Sequence, residues 1–496
     1  MAQYSDELEA DPVYPRDQWQ FEQKDDFLPD PDKKESIYTQ EFYIFIPQAL
    51  QVNSHTYSRS QFYRDQTNLI RFKTPLFTLK EAANLHLSSA PLAKIWKLKE
   101  ELGKPDTDKR IVNELKLSAS VVRSAIRRTA IRLNGLLEEE DYESLIKEVE
   151  ALKHDITEYL SSYKEVTSHL IEKGASAELK EHLSYINRFS EQSYSQYLIQ
   201  LISRIHGEKD PQLNKVEALL VSILEKELPQ LDIQKEIGEE EGEDFIHQKS
   251  ILNKYVLDPL LLDINRFSPT KRYQGLAGAF AAAIAMFVYF LLFILWGKVF
   301  VINSEPFLLL MIVVYVIKDR LKEGIKDFSY LKRLGWLSDY TTEILSPDEE
   351  TSLGVLKERV TFANVDEVPE EILKIRNQDF HTVVERFKRP ETVINYRRKM
   401  TIFEKPPTLD ERYFMLNVIF RFNVRHFIEK ASNPYHTHLW YDDKSDSVIE
   451  QEFPKVYHIN IILQSTIEKE GKKPVKELSK FRIVVDKNGI KRIENL

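Results

Sequence analysis

Four histidines, His426, His436, His438 and His458, fall within 33 residues of one another. Imidazole is the commonest side-chain metal ligand, so this concentration is the place to look for a metal centre. His436 and His438 stand two apart in PYHTHLWYDD, and a strand there would turn both rings to one side. Asp442 or Asp443 would then add a carboxylate and complete a zinc-type set, the basis for a metal-dependent enzyme. Against this, His458 sits among apolar residues in KVYHINIIL, where a hydrogen-bonded core histidine is the ordinary case, and His426 follows an aromatic strand. No spacing matches an established metal motif. The balance falls on structural histidines.

Other chemistry finds less support. Walker loops, Rossmann glycines, GxSxG, HExxH and EF-hand patterns are absent, and 14 glycines in 496 residues leave little for a phosphate-cradling loop. The chain has no cysteine, which excludes disulfides, thiolate metal sites and Cys nucleophiles. No catalytic residue and no cofactor is expected. A net charge of −9 argues against nucleic acid as the main partner.

The elements that must carry any function are organised around residues 273–320. Leu276 to Trp296 contains no charged residue, and at about 1.5 Å per residue it covers the roughly 30 Å of a bilayer core. A second apolar run, Pro306 to Ile317, spans only if Lys318 and Arg320 reach outward along their stems. The expectation is a transmembrane hairpin, about 275–296 and 304–320, with the lipid bilayer as partner. Arg266, Lys271 and Arg272 precede it and Lys318, Arg320, Lys322 and Lys326 follow, against Lys298 alone in the loop, so both flanks are read as cytoplasmic. Tyr273 and Trp296 suit interfacial anchors. Gly275, Ala279 and Ala283, with Gly278 and Ala282, repeat every four residues and would allow close helix approach. Neither helix carries a mid-depth charge, so no ion path is indicated.

Around the hairpin the reading is α+β. Residues 1–36 hold eleven acidic and four basic side chains with interspersed prolines, and are expected to be a disordered acidic tail. Residues 37–265 read as a helical bundle that opens with strands at EFYIFIPQAL and TNLIRFKTPLFTL. Leu145, Val149, Leu152, Ile156, Tyr159, Tyr163, Val166 and Leu170 alternate steps of four and three, a heptad seam. It suits either an intrachain bundle or a coiled coil with a second copy or a protein partner. Arg123, Arg127, Arg128 and Arg132 share one helix face, as a solvated paired stripe or a lipid-headgroup contact. Residues 321–337 continue an amphipathic stripe out of the membrane, and 338–496 reads as a mostly antiparallel β domain. In it, ERYFMLNVIFRFNVRHFIEKA is read as strand in the middle and helix at its end.

EFYIFIPQAL, RFKTPLFTL, RYQGLAGAFAAAIAMF, VYVIKDRLKEGIKD, RFNVRHFIEKASNP and FRIVVDKNGIKRIE together resemble a group of bacterial inner-membrane proteins with a two-helix hairpin and cytoplasmic flanking domains. The resemblance implies that topology and no activity, cofactor or site residue. The function expected is a membrane-anchored scaffold or signal relay without catalysis. The alternatives are the histidine-based metalloenzyme and an accessory subunit of a membrane complex.

Overall fold

The computed structural model describes residues 13–30, 33–227, 239–296, 305–327, 338–347, 351–378, 391–406, 409–442, 446–468 and 474–496. The protein is α+β, with helices followed by a C-terminal antiparallel sheet domain. Its N-terminal strands are β1 (Val13–Pro15), β2 (Gln20–Phe27), β3 (Glu35–Pro47) and β4 (Gln66–Phe72), with helix α1 (Arg59–Asp65) before β4. The bundle follows: α2 (Leu79–Ala83), α3 (Pro91–Leu98), α4 (Pro105–Glu138), α5 (Tyr142–Glu172), α6 (Ala177–Ile205), α7 (Pro211–Glu227) and α8 (Glu239–Leu257). Strand β5 (Asp263–Phe267) leads into α9 (Pro269–Trp296) and α10 (Glu305–Asp327). The chain then runs through β6 (Tyr340–Leu345), β7 (Ser352–Ala363), β8 (Glu391–Phe403), β9 (Leu416–Asn423), β10 (Tyr435–Asp442), β11 (Ser447–Pro454), β12 (Tyr457–Glu468), β13 (Val475–Asp486) and β14 (Gly489–Asn495).

An eight-stranded antiparallel sheet has the order β14-β13-β12-β3-β8-β7-β6-β5, and a four-stranded one the order β1-β2-β9-β4. The two pack face to face. Phe42, Ile44 and Ile46 of β3 meet Phe21 of β2 and Phe420 and Phe422 of β9. The alternate residues Tyr43 and Phe45 pack on the other face, against Val368 and Ile372 of the short helix region after β7. A central strand covered on both sides explains why FYIFIP, Phe42 to Pro47, is apolar at every position.

This arrangement corrects two expectations. Residues 13–15 and 20–27 are not a disordered tail but strands β1 and β2, β2 pairing with β9 along its whole length. Phe21 and Phe27 are buried on one face; on the other, Glu22, also buried, meets Arg421, and the exposed Asp26 meets Lys73. Two of the acidic residues that suggested disorder are thus paired with partners remote in sequence. Nor do the N-terminal strands belong with the helices: β3 lies between β12 and β8. The sandwich is built from both ends of the chain. The bundle α2–α8 is inserted between β4 and β5, and α9–α10 between the paired strands β5 and β6.

The heptad residues of α5 are all buried in the bundle core, with Ser118 of α4 bonded to Tyr159 at 2.8 Å. The seam is therefore intrachain and offers no free coiled-coil surface. Three members of the basic stripe are also committed: Arg123 to Asn253 (2.9 Å), Arg128 to the Phe77 carbonyl (2.5 Å) and Arg132 to Glu148 (2.6 Å). Helix α8 opens at Glu239 with the acidic run EEEGED. The ambiguous segment resolves as strand β9 followed by a short helix, Arg425–Ile428.

Helices α9 and α10 pack against each other, with Val314 buried and the Tyr289 hydroxyl 4.0 Å from Met311 Sδ. Among the described residues no helix is long and apolar enough to cross a membrane. The transmembrane hairpin expected over 273–320 is therefore without support in the fold, although α9 includes the uncharged run Leu276–Trp296. Residues 328–337, expected to continue the second helix, lie outside the described residues.

Two outcomes follow from this packing. Ile156→Ala, at a fully buried bundle position, lowers stability by about 2–5 kcal/mol in denaturant titration and leaves the oligomeric mass by light scattering unchanged. Glu22 is held down at about 2, from an ordinary 4.5: burial opposes this, and Lys24, the Tyr14 hydroxyl and Arg421 outweigh it. A depressed carboxyl stabilises above its unfolded value, so this contribution is full above about pH 5 and fades as pH falls toward 2. Glu22→Gln removes about 2 kcal/mol at pH 7 and flattens the acid limb of a stability–pH profile.

Candidate functional site

The root of the α9–α10 hairpin is where the most unusual chemistry collects. β5 and β6 pair from Asp263↔Leu345 to Phe267↔Thr341, so the chain leaves and rejoins the sheet at adjacent positions. Arg266, the fourth residue of β5, places its Nη2 3.1 Å from Glu358 Oε2, with the Arg266 side chain 34% exposed and that of Glu358 1%. Its guanidinium lies 4.2 Å from the Tyr340 ring and 5.4 Å from that of Tyr63. Ser268 donates to the Asp339 carbonyl at 3.0 Å, and the Asp339 carboxylate accepts from the Tyr63 hydroxyl (3.0 Å) and the Val360 amide (2.8 Å). Ser268, just before α9, is thus tied to Asp339, just before β6, and Asp339 in turn to Tyr63 of α1 and Val360 of β7. Burial first, and then the Asp339 charge, push the Tyr63 hydroxyl far above its ordinary value, so it is a donor at any physiological pH.

Glu358 continues inward. Its Oε1 accepts from Gln66 Nε2 (2.9 Å), Asn68 Nδ2 (2.7 Å) and the Tyr396 hydroxyl (2.8 Å). Asn68 Oδ1 in turn accepts from Arg398 Nη1 at 3.0 Å. Arg398 is buried between the sheets, with Gln40 Oε1 at 2.5 Å from Nε and Gln23 Oε1 at 3.1 Å from Nη2. Phe42 and Phe420 lie 5.3 and 5.6 Å from its guanidinium carbon. Gln40 passes the contact to Asp25 (2.7 Å), which also accepts from Tyr38. Burial pulls the Arg398 pKa down, and pushes that of Asp25 up despite Tyr38 and Arg398. A continuous polar chain therefore runs from Asp25 at the sandwich centre to Arg266 at the hairpin root. It contains no nucleophile–base pair and no acid–base couple beside an open cavity. What it can do is fix the strands that hold the hairpin.

A second cluster joins bundle to sandwich. Arg412, between β8 and β9, donates to both oxygens of Glu114 on α4 (Nη1 at 2.8 Å) and to Asp410 (Nε at 3.0 Å). Lys94 of α3 also pairs with Asp410, at 2.5 Å. Hydrogen bonds from Arg412 and Lys94 hold Asp410 well below the usual carboxylate range, although its burial alone would raise it. These groups form one wall of a cleft of about 630 Å³.

The histidines do not assemble. His426 Nδ1 is 2.9 Å from Asp65 of α1. His436 and His438 share one face of β10, as alternation requires, but are exposed opposite Phe453 and Gln451 on β11. His458 lies on β12 opposite Val484. Asp443 lies outside the described residues, and among those described no group of three or more His, Asp or Glu side chains could hold a metal ion. Of the membrane-related residues, Ala279 and Ala283 are exposed and Ala282 is half-buried, so α10 does not cover that small-residue face. Lys318 places its amine 4.1 Å from the Tyr315 ring, and Arg320 is exposed. The surroundings of Tyr273, Gly275, Gly278 and Trp296 lie outside the described residues.

Sequence reasoning counted Arg266 only as a cytoplasmic charge and passed over Glu358, Arg398 and Arg412. A signal for two of them was present. Leu356-x-Glu358-x-Val360 and Tyr396-x-Arg398-x-Met400 each put a charge at the inward phase of an alternating strand. No family model, no curated protein and no solved structure matches the chain.

Removing one side of the root pair leaves a buried charge without its partner. Arg266→Ala therefore lowers stability by about 3 kcal/mol and speeds amide exchange in β5 and β6. Adding Glu358→Gln recovers part of the loss, which a double-mutant cycle reads directly.

Proposed function

We propose that the protein is a membrane-anchored scaffold or relay, its bundle and sandwich both on the cytoplasmic side of a bacterial inner membrane and without catalysis of their own. The observation that carries this reading is the surface of the α9–α10 pair. Phe287, Phe290, Ile294 and Leu295 on α9, and Leu308, Leu309, Ile312 and Val316 on α10, are all exposed. Covering such side chains is favourable by about 1.5–3 kcal/mol each, and a contiguous apolar face of this kind needs a partner. A bilayer would supply one: the uncharged run Leu276–Trp296 of α9 extends about 30 Å, the thickness of a hydrocarbon core. The basic residues at both cytoplasmic ends support the orientation.

The relay part of the reading rests on the root. Because α9 and α10 grow from paired strands, a tilt or rotation of the hairpin pulls on β5 and β6 together, and so on Arg266, Tyr340 and Glu358. The polar chain to Arg398 then carries the displacement into the sandwich. With the heptad seam used within the bundle, self-association on this reading runs through the membrane pair, where Ala279 and Ala283 leave room for close approach.

The cysteine-free chain makes the topology easy to test. Asn303→Cys, in the short loop, is labelled by a membrane-impermeant maleimide in intact cells, while Asp263→Cys reacts only after permeabilisation. Equal labelling of both without permeabilisation removes the anchor, and with it this function.

A further inference from the structure

We infer that the β10–β11 hairpin joins two copies of this chain, edge to edge along β10, into one four-stranded antiparallel sheet. The hairpin pairs from Tyr435↔Pro454 to Asp442↔Ser447 without a register shift. Among the described residues no third strand joins it, and it forms a two-stranded sheet of its own. Both of its faces meet solvent. Tyr435, Leu439, Tyr441 and Val448 are exposed on one face, Leu439 by 59%, and Phe453 is exposed on the other. A two-stranded hairpin by itself is marginal in water, and further strands or a covering layer are what make such a unit stable.

The two edges differ in what they accept. β11 carries Glu450 and Glu452 and ends at Pro454, and charge and proline are what keep an edge strand from pairing. β10 from Tyr435 to Tyr441 reads YHTHLWY, with no Lys, Arg, Asp, Glu or Pro. The charges of the hairpin all lie elsewhere: Asp442, Asp443, Lys444 and Asp446 around its turn, and the two glutamates on β11. This distribution selects a second copy in two-fold, antiparallel contact. An axis at His438 sets Tyr435 opposite Tyr441, His436 opposite Trp440 and Thr437 opposite Leu439, and each pair occurs twice. No Asp, Glu, Lys or Arg then faces another. At about 3.4 Å per residue the two acidic turns lie about 27 Å apart, and the β11 strands, three strand spacings from each other, about 14 Å. Both separations exceed the Debye length of about 8 Å at physiological salt. Joining through β11 would instead set the glutamates of both copies on adjacent strands. The contact goes beyond the scaffold reading and does not need the anchor.

The test places single cysteines in the full chain and oxidises them mildly in native membranes. His438→Cys sits on the axis, where directly opposed Cβ atoms are about 4.5–5.5 Å apart, and a disulfide-linked dimer is expected. Gln451→Cys, the partner of His438 on β11, points to the far edge and links at about a tenth of that yield or less. Tyr435→Cys and Tyr441→Cys each stand about 20 Å from their own copy. They link when the two variants are co-expressed and not when either is alone. All four positions are exposed, so the substitutions leave the core untouched. Absence of the His438→Cys dimer, equal yields from His438→Cys and Gln451→Cys, or equal linking by the mixed and single tyrosine-site variants would overturn the contact. Association through α9 and α10 alone brings the chains together without favouring His438 over Gln451. Failure of the anchor, read by maleimide labelling, and failure of this contact are therefore distinguishable.

Discussion

A guanidinium buried between two sheets sets the terms for the rest of this molecule. Arg398 is removed from water, and such a charge costs several kcal/mol unless its donors are met. The acceptors come from three other strands: Gln23 from β2, Gln40 from β3 and Asn68 from β4. A slip of one residue in any of those strands would turn its amide to the opposite face and leave Arg398 unmet. The requirement therefore specifies register as well as proximity. It holds together parts of the chain that sequence separates widely, since Gln40 and Arg398 stand 358 residues apart. Among the described residues no carboxylate touches Arg398 directly, and the compensating charges of Asp25 and Glu358 act through Gln40 and Asn68.

That closure explains the insertion architecture. Strands β3 and β4 can lie in one sandwich with β8 and β9 only if everything between β4 and β5 folds as a self-contained excursion. The bundle meets that condition, with a core of its own from Leu79 to Val256. Its contacts are largely local and the sandwich's are not, so the bundle can form without waiting for the chain ends to meet. Polar ties then set its place, among them Arg412 to Glu114, Lys94 to Asp410, and Lys116 to Asp258 at 2.7 Å. The cleft is the space left beside the first of these.

Periodicity made the helices legible. The heptad of α5 picked out the same eight residues that the bundle buries, because a helix shows its buried stripe whatever packs on it. Strands β3, β9 and β12 were visible for a similar reason, each being dense in β-branched and aromatic residues. β2 was not, because QFEQKDDF has two apolar residues and its stability comes from Arg421, Lys73 and Arg398, none of them nearby in sequence. The assignment of the N-terminal strands to the C-terminal sheet was illegible for the same reason: pairing partners leave no local trace in a single sequence. The histidines show the converse. A cluster in sequence became three separate places, because His426 lies on the short helix after β9, His436 and His438 on β10 and His458 on β12, and those three strands belong to three different sheets.

The edge of the large sheet gives the membrane reading its last physical support. β5 is outermost, all five of its residues are exposed, and an open strand edge invites pairing with other chains. Leu261, Ile264 and Phe267 add exposed apolar side chains in the seven residues from 261 to 267, immediately before α9. In free solution this combination is an aggregation hazard. On the reading proposed above, a bilayer would cover it: a strand entering a membrane helix would lie at the headgroup boundary, where apolar side chains find the acyl region. Arg266, in the same strand, turns inward to Glu358 and secures the strand from which α9 departs.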